Sequence, residues 1–116
     1  MAKHVLFIGW NRPIPGREAK AAELFAETMN YYARMQKEGT IESFEPVLLA
    51  RHGGDLNGFI LVRGSREKLG AWMASPEFNE IAMRVDDAVS SFGIISGYTG
   101  EGVQEQMAVW KKLVVK

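Results

Sequence analysis

The stretch EPVLLARHGGDLNGFILVRG, Glu45–Gly64, decides the fold. Two apolar runs flank a connection rich in glycine, and that connection is short enough to join them as a hairpin. In the second arm Phe59 and Leu61 point to one side and Ile60 and Val62 to the other. Both faces are therefore apolar, and a strand of this kind lies between two covering layers. Pro46 sits within the first arm. Proline cannot donate to a sheet ladder, so this arm belongs at an edge.

Upstream, Lys3–Trp10 reads as a first strand, with His4, Leu6, Ile8 and Trp10 on one side and Val5, Phe7 and Gly9 on the other. Pro13, Pro15 and Gly16 interrupt the chain before a helix over Arg17–Glu38, which ends at Gly39, where a left-handed C-cap costs least. Its main stripe is expected at Ala22, Phe25, Met29, Ala33 and Gln36. Leu24, Thr28, Tyr31 and Met35 form a further stripe, making the apolar arc wider than one sheet face requires. The hairpin arms extend over Thr40–Ala50 and Leu56–Arg63.

Downstream, Ser65 caps a helix running to about Ala74, and Ser75-Pro76-Glu77 restarts it with a cap, a first-turn proline and an acidic residue. Phe78, Ile81, Ala82, Val85 and Val89 follow at helical spacing. Phe92–Thr99 is a fourth strand. Val103, Met107, Trp110 and Val114, at steps of four, three and four, predict a last helix. The order is β-α-β-β-α-β, the split βαβ arrangement of ferredoxin-like α+β domains. Its antiparallel sheet has the order 4-1-3-2, and that makes the proline-bearing second strand an edge. Residues 1–116 thus read as one domain, with 101–116 as an appended C-terminal helix.

Composition narrows the function classes. Fourteen basic and fourteen acidic residues cancel, so the electrostatic footprint of a nucleic-acid binder is missing. Hydrophobic residues make up 47% and charged residues 24%, yet no apolar run approaches the roughly 20 residues that span a bilayer. The start MAKHVLFIGWNRP lacks a small-residue cleavage site and reads as a strand rather than a leader. There is no cysteine, which removes disulfides and thiolate chemistry and fits a cytoplasmic location.

No motif fixes a reaction. His52-Gly53-Gly54 resembles a hydrolase oxyanion loop, but the G-x-S-x-G elbow that reading requires is missing. GYTGEG, Gly97–Gly102, has the wrong spacing for a phosphate or dinucleotide loop. His4 and His52 stand at opposite ends of two parallel strands, roughly 20 Å or more apart, so they make no metal site within one chain. Glu42 and Glu45, three apart on a strand, point to opposite faces and make no carboxylate pair. Tyr98 ends the fourth strand, where its hydroxyl could turn toward a cavity, whereas helical spacing assigns Trp72 to the core.

One end of the sheet does gather chemistry. Trp10, Asn11 and Arg12 end the first strand, and Arg51 and His52 lie in the hairpin loop at the same end. These five residues are the expected ligand-binding site: an indole to stack a planar molecule, guanidinium groups to offset an anion, and an imidazole to move a proton. No metal ligand set and no cofactor motif accompanies them.

HVLFIGW, the hairpin and the following SREKLGAWMASPEF together resemble the dimeric α/β-barrel superfamily, in which two ferredoxin-like subunits pack sheet against sheet. GFILVRGSREKLGAW is similar to the corresponding strand and helix of YCII-related proteins, and the order of elements resembles antibiotic-biosynthesis monooxygenases and stress-responsive barrel proteins. The resemblance covers residues 3 to 100 and implies small-molecule chemistry or binding in a cavity bounded by sheet and helices. It implies a homodimer through the helix-free sheet face, with Leu48 taken to represent the side chains covered there. It also implies cofactor-independent oxygenase or isomerase chemistry on a small organic molecule; a non-catalytic binding or oligomerisation domain is the alternative. The last helix is expected to cover the second stripe of the first, from the same chain or from a partner.

Overall fold

The computed structural model describes residues 1–115. Along the chain lie β1 (His4–Trp10), α1 (Glu18–Lys37), β2 (Ser43–Leu48), β3 (Gly58–Gly64), α2 (Arg66–Met73), α3 (Pro76–Ala88), β4 (Gly93–Tyr98) and α4 (Glu101–Leu113). The four strands form one antiparallel sheet in the order β2-β3-β1-β4. This is the ferredoxin-like arrangement expected from the hairpin, with Pro46 on an edge strand.

Local chemistry explains the boundaries. Gly39 has φ +82°, the left-handed conformation that ends α1 at its C-terminus. Ser65 Oγ accepts from Lys68 N at 3.2 Å, and Ser75 Oγ accepts from Phe78 N at 3.3 Å, so each serine caps its helix. The backbone between Leu48 and Gly58 forms a loop, residues 49–57, longer than a tight hairpin turn.

The strand register separates two faces. Leu6 and Ile8 of β1, Ile60 and Val62 of β3, and Ile94 of β4 point toward α1, α2 and α3. The buried residues of α1 are Leu24, Thr28, Tyr31, Tyr32 and Met35. The stripe read from spacing as secondary is thus the one that meets the core, while Ala33 and Gln36 of the expected main stripe are exposed. Tyr31 and Tyr32 are adjacent and both buried, so the arc that meets the core is centred on the Leu24–Met35 side of the helix. Tyr32 and Phe78 meet Trp72 edge to face, Tyr31 lies tilted against it, and Trp72 Nε1 donates to Tyr31 Oη at 2.7 Å.

The other face carries Val5 and Phe7, Phe59 and Leu61, Val47 and Ile95, and no helix of the chain covers it. Phe7 and Phe59 stack there, and Arg63 pairs with Glu45 at 3.6 Å. Leu48 does not belong to this face. It pairs with Gly58 and so points, like Ile60, to the helix side.

The last helix also departs from expectation. The α1 stripe it was to cover already meets the sheet, and α4 instead packs on β4 and the start of β1. Gly102 is buried against the Lys3 backbone, and Lys3 Nζ pairs with Glu105 at 2.5 Å. Val103, Met107, Trp110 and Val114 all remain exposed.

Candidate functional site

The helix side of the sheet is packed unevenly. Toward the end that holds the C-terminus of α1, Tyr31, Tyr32, Met35, Leu69 and Trp72 fill the space between helices and strands. Toward the other end the helices present Ala21 and Ala22 of α1 and Ala82 and Ala88 of α3. Alanines cannot reach across the layer spacing, and an apolar cavity of about 250 Å³ results. Its floor is Ile8, Trp10, Ile60 and Leu48, its walls are Leu24, Phe25, Phe78, Ile81 and Val85, and Pro13, Val89 and Phe92 complete the lining.

Trp10 is held across this floor because its partner in β3 is a glycine. A Cβ at Gly58 would come within 2.6 Å of the indole, so only glycine leaves the ring room to lie over the strand. Phe25 meets the same indole edge-on, with ring centroids 6.1 Å apart. Above the cavity, α1 and α3 are braced by ion pairs along their length: Arg17 with Asp87 at 2.5 Å, Glu27 with Arg84 at 2.7 Å, and Arg34 with Glu77 at 2.5 Å. The Arg84 hydrogen bond holds the Glu27 carboxyl below the usual carboxylate range.

Polar groups in the lining are few. Thr28 is 5% exposed, and its Oγ1 has no hydrogen-bond partner among the described residues. Tyr32 also lines the cavity, and burial pushes its phenol well above the usual range, so it stays protonated. Glu18 is the single charged residue of the lining, and its Oε1 accepts from Gly16 N at 2.9 Å.

Of the five residues read from the sequence as a site, the cavity includes Trp10. Asn11, Arg12, Arg51 and His52 belong to the loops at the same end of the sheet and are not part of the lining. Asn57 Nδ2 donates to Asn11 Oδ1, and Asn57 N donates to Trp10 O at 2.9 Å, tying the hairpin loop to the end of β1. Arg12 and Arg51 are exposed. His52 spends both ring nitrogens on its own loop: Nδ1 accepts from Gly54 N at 3.0 Å and Nε2 lies 2.6 Å from Leu56 O. With Nδ1 accepting, Nε2 is the ring nitrogen that donates to Leu56 O. The RHGGDLNG segment is a loop folded about its histidine.

Tyr98 points to the helix side at the opposite end, with its ring centroid 5.4 Å from that of His4. Among the described residues no three His, Asp or Glu side chains group to hold a metal ion, and no helix is long and apolar enough to cross a membrane. Sequence reading missed Thr28 as a cavity residue, as well as Leu24, Phe25 and the alanines. The available signal was the alanine content of α1 and α3 at core-facing positions, a deficit of volume rather than a motif.

No protein-family model and no curated protein sequence matches the chain. Solved structures do. The hydroxynitrile lyase from Passiflora edulis superposes with a TM-score of 0.64 at 16% identity, over 87% of this chain and 97% of that one. A dimeric ferredoxin-like protein of unknown function from Jannaschia sp. CCS1 gives 0.62 at 12% identity, covering 84% and 98%. SnoaB, a cofactor-independent oxygenase from Streptomyces nogalater, gives 0.51 at 19%, covering 85% and 93%. The chain has the ferredoxin-like fold that these proteins share.

Proposed function

We propose that the protein is a homodimer that binds a small, largely apolar organic molecule in the cavity between its sheet and helices α1 and α3. The cavity itself carries this reading, since its nearly continuous apolar lining and its few polar groups are those of a small-molecule site, and its volume of about 250 Å³, just under the usual range of ligand pockets, suits a small ligand. Trp10 supplies a flat aromatic wall. Arg12, Arg51, Asn11 and His52 form the rim at that end of the sheet, where they support the loop and meet whatever part of a ligand extends from the mouth. Cofactor-independent oxygenation or isomerisation of the bound molecule is the proposed chemistry, in line with the likeness to SnoaB. In such a reaction the chain's contribution is to enclose the substrate, exclude water and fix its orientation. The cysteine-free sequence fits a cytoplasmic setting.

The helix-free sheet face supports the dimer. Phe7, Phe59, Leu61, Val5 and Ile95 form one apolar surface that a second copy would cover with its own. The similar protein from Jannaschia is dimeric.

Titration with planar aromatic probes, followed by amide chemical shifts, tests the ligand reading. Shifts centred on Trp10, Ile60 and Phe25 are expected, and oxygen uptake in the presence of a bound phenol would mark an oxygenase. Binding without turnover of any probe favours the non-catalytic alternative, while an absence of shifts at those residues defeats the site.

A further inference from the structure

At the end of the sheet remote from Trp10, the helix side is covered incompletely. Along β4 the residues on this side change from Ile94, which packs against the core, to Ser96 and Tyr98, which are exposed. The register sets Tyr98 beside His4 and Ser96 beside Leu6. Facing them, α2 presents Leu69, Gly70 and Met73. A Cβ at Gly70 would meet nothing within 4 Å, so the groove of about 300 Å³ between α2 and β4 is open along the helix. It shares no lining residue with the cavity beneath α1 and α3.

Its chemistry differs from that of the apolar cavity. Four polar side chains from three elements line it: His4 of β1, Ser96 and Tyr98 of β4, and Arg66 in the first turn of α2. Three of these residues are exposed and His4 is half-buried, so a molecule in solution reaches them. Arg17, Arg34, Arg63 and Arg84 each pair with a carboxylate, whereas Arg66 pairs with none among the described residues. No aspartate or glutamate belongs to the lining. A guanidinium, an imidazole and two hydroxyls without a negative charge favour an anion. Arg66 carries the one fixed charge and balances one negative charge; a doubly charged phosphate would retain its second. Leu6, Leu69 and Met73 lie beside the polar groups and suit a hydrocarbon portion.

We infer that this groove is a second ligand site, which takes a small monocarboxylate with an apolar skeleton. The Arg66 guanidinium forks onto the carboxylate, the Tyr98 and Ser96 hydroxyls and a His4 N–H supply the remaining donors, and the skeleton rests on Leu69 and Met73.

The test titrates the full chain at neutral pH with phenylacetate, 2-phenylethanol and inorganic phosphate, following amide chemical shifts. Phenylacetate should shift Gly70, Ser96 and Gly97 and bind at least about fivefold more tightly than 2-phenylethanol or phosphate. Arg66→Gln should weaken phenylacetate about fivefold or more and Tyr98→Phe about twofold, with little change in melting temperature, since both side chains are exposed. Gly70→Leu places a side chain in the groove from a helical position with space for it, so it should abolish these shifts and melt no lower than wild type. If phenylacetate leaves Gly70, Ser96 and Gly97 unmoved, or shifts Trp10 and Ile60 instead, the groove is not a ligand site. Arg66→Gln and Gly70→Leu variants that bind phenylacetate as well as wild type would refute it equally. Phosphate binding as tight as that of phenylacetate would overturn the monocarboxylate assignment.

Discussion

Phe7 and Phe59 stack with ring centroids 4.9 Å apart and planes within 25° on the one sheet face that no helix covers. Gly9, which faces Phe59 across the β1–β3 ladder, makes room for this: a Cβ there would meet the Phe7 ring at 2.6 Å. An aromatic pair arranged this way presents a flat apolar platform to whatever approaches.

That platform gives the first prediction. Light scattering at micromolar concentration should report twice the 12.9 kDa chain mass. Phe59→Asp should dissociate the dimer, because a buried unpaired carboxylate costs several kcal/mol in order of magnitude. Leu48→Asp should leave the mass unchanged, since Leu48 lies on the helix side. A monomeric wild type, or a dimer that survives Phe59→Asp, means that the face is not the interface.

The bond from Trp72 Nε1 to Tyr31 Oη joins α2 to α1 within the core, where both residues are about 95% or more buried. Tyr31→Phe keeps the ring and strands the indole donor, and this should lower stability by about 1–3 kcal/mol in chemical denaturation. Adding Trp72→Phe to that variant creates a cavity of its own, so it should not recover the loss. A neutral Tyr31→Phe would show that the donor finds water instead.

Glu27 and Arg84 predict a pH dependence. Arg84 hydrogen bonds depress the Glu27 carboxyl, so the folded chain holds its proton less tightly than the unfolded chain does. The stabilisation is therefore complete above the ordinary glutamate value of about 4.3 and is lost as pH falls through the lower folded value. Both side chains are substantially solvated, so the effect is small. Glu27→Gln should melt slightly lower than wild type at pH 7, and the gap should close as pH drops below about 4. A gap that does not change with pH would assign the effect to packing.

The fold was legible because apolar spacing, the two serine caps, Gly39 and Pro46 all agree on one arrangement. Strand parity was not legible: Phe59 and Leu61 match Ile60 and Val62 in hydrophobicity, and only the register tells which pair meets the helices. The core stripe of α1 was not legible because two apolar stripes run along the helix, and spacing alone does not say which of them, Phe25–Met29 or Leu24–Tyr31–Met35, is centred on the sheet. At the site, Trp10 was legible as an aromatic ending a strand. The cavity beside it was not, because it arises from what Ala21, Ala82 and Ala88 lack. His52 looked reactive in the sequence, since nothing there shows that Gly54 and Leu56 occupy both of its nitrogens.

Gly102 supports the last prediction. It lies in the first turn of α4, where a Cβ would approach Lys3 O to 2.3 Å, and a backbone carbonyl held in place by the Thr99 N–H at 2.9 Å has little freedom to move. Gly102→Ala should therefore unseat α4 from the sheet without touching the core. A helix of 13 residues is marginal in water when detached, so its amides should lose protection in hydrogen exchange while those of β1 and β3 keep theirs. The exposed stripe of Val103, Met107, Trp110 and Val114 adds a second readout. If that stripe packs on a second copy, Gly102→Ala should also raise the concentration needed for dimerisation. Removing residues 101–116, which include Lys116 outside the described residues, should do the same. Should both variants dimerise and exchange like the wild type, neither the Lys3 contact nor the stripe holds α4 in place.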